Sequence, residues 1–193
     1  DSNQIVDRAA RTQTIVDFTT EYNFKPEASK TYVGLSILPS EDSGYLAQAV
    51  IDATGTTKTV VTRKTVDGGV ETVTEEVIND QSKLRFSLQY YKRIYNLSLR
   101  LGLFESTGGL AADLHFFRDQ LLLGSEVFNF SRLNDNPYLK SYARVSFLSY
   151  FYATVGGEDL MARDASKRGV YAGVGLRFVD DDLKVLGMLP RVN

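Results

Sequence analysis

The 193-residue chain contains no cysteine, so it can have no disulfide framework, thiol nucleophile or thiolate metal site. Its single histidine, His115, argues against a His-rich zinc centre. No apolar run approaches the ~20 residues of a membrane helix. A net charge of −2 gives no support for a nucleic-acid partner. The chain opens at Asp1 without Met or an apolar signal stretch, which points to a mature protein or a fragment of a longer one. Its length suits one domain with a full core or one small membrane barrel. The 43% hydrophobic content fits both, because only alternate residues of a membrane strand need to face lipid.

What the chain does have is alternation. In Asn96-Leu97-Ser98-Leu99-Arg100-Leu101-Gly102-Leu103 every second residue is leucine, and successive strand residues point to opposite faces. The pattern predicts strands over 14–24, 30–38, 45–66, 70–91, 95–104, 109–117, 120–130, 139–148, 151–158 and 168–178. One face of each segment is uncharged, although 24% of the chain is charged. That face includes Leu97, Leu99, Leu101, Leu103, Leu114, Phe116, Val145, Val174, Leu176 and Phe178. The other carries Asp17, Glu21, Asp52, Arg85, Arg100, Asp113, His115, Glu126, Lys140, Arg144, Glu158 and Arg177, with glycines that leave room for long Arg side chains. The expected fold is all-β: a closed antiparallel, up-and-down β-barrel of about ten strands. The barrel domain covers 14–178, after a lead-in over 1–13 and before a tail over 179–193. The third and fourth segments are too long for one bilayer crossing. Their excess, 54–82, has Thr/Val-rich arms around Asp67-Gly68-Gly69 and reads as a hairpin projecting beyond the rim.

Alternation does not say which face points outward. A soluble periplasmic barrel would hold lipid in an apolar interior; an outer-membrane barrel inverts this. Three features favour the inverted form. Short connections near Lys92-Arg93-Ile94, Arg118-Asp119 and Ser149-Tyr150 alternate with long ones, although Pro39 to Gly44 is longer than that rule favours. Acids and bases are nearly balanced on the polar face, where Asp17, Glu21, Arg85, Arg100, Asp113, His115, Glu126, Arg144, Glu158 and Arg177 would pair in a narrow lumen. Aromatics crowd the strand ends, among them Tyr22, Phe24, Tyr45, Tyr90, Tyr91, Phe104, Phe128, Tyr152, Tyr171 and Phe178, as in interfacial girdles that here lack Trp.

The last strand, Val170 to Phe178, looks like the closing strand of outer-membrane barrels, which often ends in an aromatic residue. The segments Gly102 to Leu110, Phe128 to Arg132 with Asn136-Pro137, and Gly175 to Lys184 resemble the C-terminal region of bacterial mammalian-cell-entry (MCE, MlaD-like) lipid-transport proteins, which the Thr-rich hairpin also fits. That resemblance implies an outer-membrane anchor for a transenvelope phospholipid conduit in Gram-negative bacteria. It also implies three partners besides membrane lipid: an MCE domain, a helical segment and an ABC-type transporter.

Catalytic chemistry has one candidate. Asp113 and His115 share a face two residues apart, where an acid–base pair could form, and omptin-type outer-membrane proteases resemble this in using Asp and His on barrel strands. Against it, the charged crowd reads as a hydrogen-bond network, and Ser87 and Ser98 lie in no Gly-x-Ser-x-Gly elbow. Asp180-Asp181-Asp182 lacks EF-hand spacing, and Gly173-x-Gly175 lies inside a strand. The expectation is a non-enzyme without metal or cofactor, with Leu183 to Leu189 docking at or plugging one rim.

Overall fold

The computed structural model describes residues 12–25, 27–52, 56–66, 70–80, 83–132 and 135–179, and over 53–83 the backbone alone. The strands are β1 (Gln13–Phe24), β2 (Glu27–Ser40), β3 (Ser43–Asp52), β4 (Thr56–Val66), β5 (Val70–Asp80), β6 (Lys83–Ile94), β7 (Leu97–Phe104), β8 (Thr107–Phe116), β9 (Leu121–Phe128), β10 (Tyr138–Phe147), β11 (Phe151–Glu158) and β12 (Gly169–Val179). Ten of them close one antiparallel barrel in the order β1-β12-β11-β10-β9-β8-β7-β6-β3-β2. Closure leaves no unpaired edge. Each strand pairs with its sequence neighbour except where β4 and β5 intervene, and β1–β12 seals the ring with Val16 opposite Phe178 and Tyr22 opposite Ala172.

β4 and β5 form a separate two-stranded sheet, with Thr56 opposite Asp80 and Val66 opposite Val70. The segments expected as continuous strands over 45–66 and 70–91 are therefore each divided into a barrel strand and a hairpin strand. The turn at 67–69, the lead-in over 1–11 and the tail over 180–193, with its aspartates, lie outside the described residues. The β2–β3 connection, expected to be long, is a turn at 41–42, because strand pairing runs on to Ser40 opposite Ser43 after a bulge. With that change, one rim carries short turns at 41–42, 95–96, 117–120 and 148–150, together with the start of β1 and the end of β12. The other rim carries the hairpin and the loops 129–137 and 159–168. The latter loop holds a 3-10 turn, Ala165–Lys167, capped by Asp164.

The faces are inverted relative to a water-soluble protein. More than thirty large apolar or aromatic side chains are exposed, among them Leu99 at 45%, Leu101 at 64%, Leu114 at 44% and Val174 at 64%. Val145, Phe116 and Leu103 are exposed on the same wall, and Leu97, Leu176 and Phe178 are half-buried there. The lumen instead buries Glu21, Lys30, Asp52, Asp113, Lys140 and Glu158. Several aromatics expected in girdles point inward: Phe104, Phe128, Tyr152 and Tyr171 are nearly inaccessible. The inward glycines make room for rings more than for arginines. A Cβ on Gly124 would lie 2.5 Å from Tyr142 Cζ, and one on Gly175 would overlap the Tyr152 ring.

Candidate functional site

The lumen is layered. At the long-loop end Lys30 Nζ lies 3.1 Å from Glu158, 3.9 Å from Glu105 and 4.0 Å from Asp52. Arg85 reaches Glu105 at 2.6 Å and Asp52 at 3.3 Å, and Asn23 donates to Glu158. Phe104 stacks on Phe128 at 6.0 Å between centroids, and Phe128 meets Tyr138 tilted at 4.8 Å. Side chains thus fill this end.

Below it, Lys140 donates to Glu21 at 2.6 Å and lies over the Tyr32 and Tyr171 rings at 4.8 and 4.5 Å. Arg100 donates to both Asp113 oxygens, at 2.6 and 3.0 Å, and to Glu126 at 2.8 Å, Gln89 at 2.9 Å and Tyr142 Oη at 2.9 Å. Asp17 accepts from Arg177 at 3.2 Å, from Thr19 at 3.0 Å and from Tyr152. Such pairing is required, because a buried charge without a partner is strongly destabilising. Of the ten lumen residues named from sequence, nine enter hydrogen bonds or ion pairs. Arg144 is the exception, with no ion pair among the described residues, contrary to the expectation that it neutralises a carboxylate.

Asp113 and His115 do not form a dyad. Asp113 is taken by Arg100 and Tyr142, and His115 turns toward the short-turn rim. There His115 Nε2 is 2.9 Å from Ser98 Oγ, and Nδ1 is 2.8 Å from Asp119 Oδ1, though out of line for a hydrogen bond. Asp119 sits in a turn where Phe117, Arg118 and Asp119 all take left-handed backbone angles, which aims its carboxylate at Arg93. Burial alone would raise the Asp119 carboxyl, but the two-pronged Arg93 bond outweighs it and holds it below the usual range. Ser98, His115 and Asp119 resemble a hydrolytic triad in order and spacing. Two parts are missing. Ser98 is paired across both ladders, with Arg93 on one side and Asp113 on the other, so nearby amides are committed to strand pairing instead of forming an oxyanion hole. Asp119 is already neutralised by Arg93. Among the described residues no group of His, Asp and Glu could hold a metal.

Between the Lys140 layer and the short-turn rim lies a chamber of about 450 Å³. Asp17, Arg100, Asp113, Glu126, Tyr142 and Arg144 line its depth. Nearer the rim Ile15, Leu38, Leu46 and Leu122 share the lining with Glu41, Arg93, His115, Asp119 and Ser146. Sequence reasoning missed the four aliphatic residues, which fall on the polar face. The signal was present where alternation fails: Ile15-Val16, Ile37-Leu38, Tyr45-Leu46 and Leu121-Leu122-Leu123 are adjacent apolar residues with one member forced inward.

At the opposite rim Arg132 pairs with Asp159 and Asp135, and Asp135 also accepts from Arg163 N at 2.9 Å and from Lys167 at 3.0 Å. The Arg163 amide and Lys167 hold the Asp135 carboxyl far below the usual carboxylate range. These contacts tie loop 159–168 to loop 129–137.

Comparison with known proteins redirects the family assignment. A family model for a lipocalin-like domain matches residues 14–185. An uncharacterized protein of Aquifex aeolicus (strain VF5) is 34% identical over 169 residues, covering 82% of this chain. The chain spans about half the length of that relative, 48%. No solved structure matches. The expected MCE, MlaD-like membership is thereby overturned. With it go the MCE domain, the helical segment and the ABC-type transporter as partners, and the role the resemblance implied, a transmembrane anchor for a phospholipid-trafficking conduit. The short glycine- and aromatic-rich segments behind that resemblance are what closing, tightly turned barrel strands require in general. By a match over almost the whole barrel, the chain belongs to the lipocalin-like domain family.

Proposed function

We propose that this domain is a lipid-binding β-barrel that meets lipid chiefly through its outer wall, seated in a bilayer, and that the bilayer is a bacterial outer membrane. The observation that carries the reading is the inversion of the faces. Burying one large apolar side chain is worth about 1.5–3 kcal/mol, so more than thirty left in water would forfeit tens of kcal/mol. Monomeric soluble proteins rarely expose contiguous apolar surface on that scale. A closed barrel satisfies its backbone internally, as a bilayer demands. Outward aromatics also gather near both rims: Tyr22 with Phe24 at the long-loop end, and Tyr45 with Tyr90, Phe147 with Phe151 and Tyr150 with Phe178 at the short-turn end. An even strand number with both barrel ends at the short-turn rim fits outer-membrane topology. The incomplete Ser98–His115–Asp119 arrangement favours binding over catalysis.

A second reading, a periplasmic barrel carrying lipid in its lumen, is favoured by the lipocalin-like description and by the open chamber. Its difficulty is the outer wall, which such a barrel would need to be polar. Spin labels at Leu99, Leu101, Leu114 and Val174 separate the two. Seated in a bilayer, they should be relaxed by lipid-soluble oxygen more than by aqueous nickel. A monodisperse, detergent-free monomer with nickel-accessible labels would establish the second reading instead.

A further inference from the structure

Left-handed backbone angles occur in the turns at both rims, but the residues that adopt them differ. At the long-loop rim they are Glu105, Ser106, Asn129 and Asp159, all polar. At the short-turn rim the first such residue in each of three turns is bulky and apolar: Tyr95, Phe117 and Leu148. Turns ordinarily place Gly, Asn or Asp there. Among the described residues these three are the most exposed large apolar side chains, at 93%, 73% and 79%. Going round the ring from β12, the turns come in the order β10–β11, β8–β9 and β6–β7. Leu148, Phe117 and Tyr95 therefore form one arc that begins beside the end of β12. Arg93 donates twice to Asp119, at 3.0 and 2.8 Å, and so fastens the Tyr95 turn to the Phe117 turn. The fourth short turn, Glu41-Asp42 between β2 and β3, is polar and lies across the β1–β12 seam from the start of the arc. A single medium covering the whole rim would meet all four turns alike, so an apolar arc of three calls for a more local cover.

The chain itself supplies one. β12 ends at Val179, one strand from the Leu148 turn, and residues 180–193 follow. Fully extended, that length reaches about 45–50 Å. Neighbouring turns stand two tilted strands apart, about 10–13 Å, so the tail is long enough to pass all three. Its leucines Leu183, Leu186 and Leu189 recur every third residue. Three residues of extended chain cover about 10 Å, which matches the interval between turns. Charge agrees as well: Asp180-Asp181-Asp182 leads the tail, and the arc carries Lys92 and Arg118, both exposed. We propose that residues 180–193 dock along this arc, with Leu183, Leu186 and Leu189 covering Leu148, Phe117 and Tyr95 in that order. The inference rests on the rim alone and holds whichever medium covers the outer wall.

The chain has no cysteine, so introduced pairs carry spin labels without background. The whole chain, in nanodiscs or in buffer, is labelled at Gln120→Cys in the Phe117 turn and Gly187→Cys in the tail. A second sample pairs Gly187→Cys with Asp42→Cys. Pulsed dipolar spectroscopy should give a narrow distance distribution for the first pair, at a shorter distance than the second. Replacing Leu183, Leu186 and Leu189 together by Ser should cut the docked-to-free ratio at least about tenfold, roughly the effect of exposing one buried leucine. Phe117→Ser with Leu148→Ser should do the same, and because both side chains are exposed the barrel should stay folded, as circular dichroism checks. A broad distribution for the first pair would overturn the docking, and relaxation of the Gln120→Cys label by lipid-soluble oxygen would then assign the arc to lipid. A second pair as close as the first, or a narrow distance unchanged in both serine variants, would overturn it too. A dipolar signal from chains labelled at Gly187→Cys alone would overturn it in favour of a second copy.

Discussion

Removing Arg100 should unfold the barrel far more readily than losing any surface ion pair would. Five hydrogen bonds leave this guanidinium, to Asp113, Glu126, Gln89 and Tyr142. The side chains of Arg100, Asp113 and Glu126 are only 12%, 7% and 17% exposed. Arg100→Ala therefore leaves two shielded carboxylates facing each other, with the Tyr142 hydroxyl as the remaining donor. Taking one partner from a buried pair costs about 3–5 kcal/mol, whereas an exposed pair contributes about 0–1 kcal/mol. The upper half of the first range is expected, because one cation serves two acids. The triple variant Arg100→Met, Asp113→Asn, Glu126→Gln should recover most of the loss, since it removes the charges along with their partner. Reversible urea unfolding of the refolded barrel, followed by tyrosine fluorescence and circular dichroism, gives both values. A deficit under about 1 kcal/mol for Arg100→Ala, or a triple variant no better than the single one, would refute the view of the lumen as a shielded charge network.

Four further outcomes are expected. Leu101→Arg should cost about 2–4 kcal/mol if the wall is in lipid and almost nothing if it is in water, read as the yield of assembled barrel in vesicles. Gly175→Ala should destabilise by about 1–3 kcal/mol by displacing the Tyr152 ring, while Gly108→Ala, with no atom within 4 Å of the added carbon, should cost far less in the same urea assay. Because the folded Asp135 carboxyl is held far below its ordinary value, its contribution is complete above about pH 4 and lost only as pH falls through the depressed value; amide exchange in loop 159–168 should stay protected well below pH 4, and loosening near pH 4 would contradict the latch. Ser98→Ala and His115→Gln should leave lipid esters and peptides as slowly cleaved as the wild type leaves them, and wild-type hydrolysis that vanishes in either folded variant would make the rim arrangement a catalytic one.

The barrel was legible in the sequence because its rule is local. Period-two alternation reports on each strand separately, so Leu97 to Leu103 declare their face without knowledge of any neighbour. The length of the ring follows from counting such segments. What alternation does not report is depth along the axis. Phe104, Phe128, Tyr152 and Tyr171 have the same strand-end look as Tyr22 or Phe178, yet each stands one position off the outward residues of its strand and turns inward, with rings lying over glycines such as Gly109 and Gly175. The partners of the lumen charges were equally hidden. Asp113 and His115 are two residues apart, which suggested a pair. Shear of the closed sheet carries the Arg100 side chain to one and leaves the other to Asp119, a contact that depends on three successive left-handed residues no pattern announces. The family resemblance failed for a related reason: glycine-rich, aromatic-ended segments describe how barrel strands turn and close, not which barrel they belong to.

The two ends of the lumen differ because different residue types had to be turned inward there. At the long-loop end the inward positions hold Lys30, Asp52, Glu105 and Glu158 with Phe104 and Phe128, long or planar groups that are buried against one another. At the short-turn end Ile15, Leu38, Leu46 and Leu122 stand among Arg93, His115, Asp119 and Ser146. Branched aliphatic side chains have no partner reaching across the lumen, so they line a wall without bridging it. An apolar lining around open space is not what a barrel needs for its own stability, since those side chains gain nothing from facing a water-filled chamber. A polar residue at any of the four positions would suit an empty lumen better. Leu38→Ser and Leu122→Ser should therefore cost the folded barrel less than the about 1.5–3 kcal/mol of a fully buried leucine, read by urea unfolding; a loss in that range would show that these half-buried side chains serve the fold.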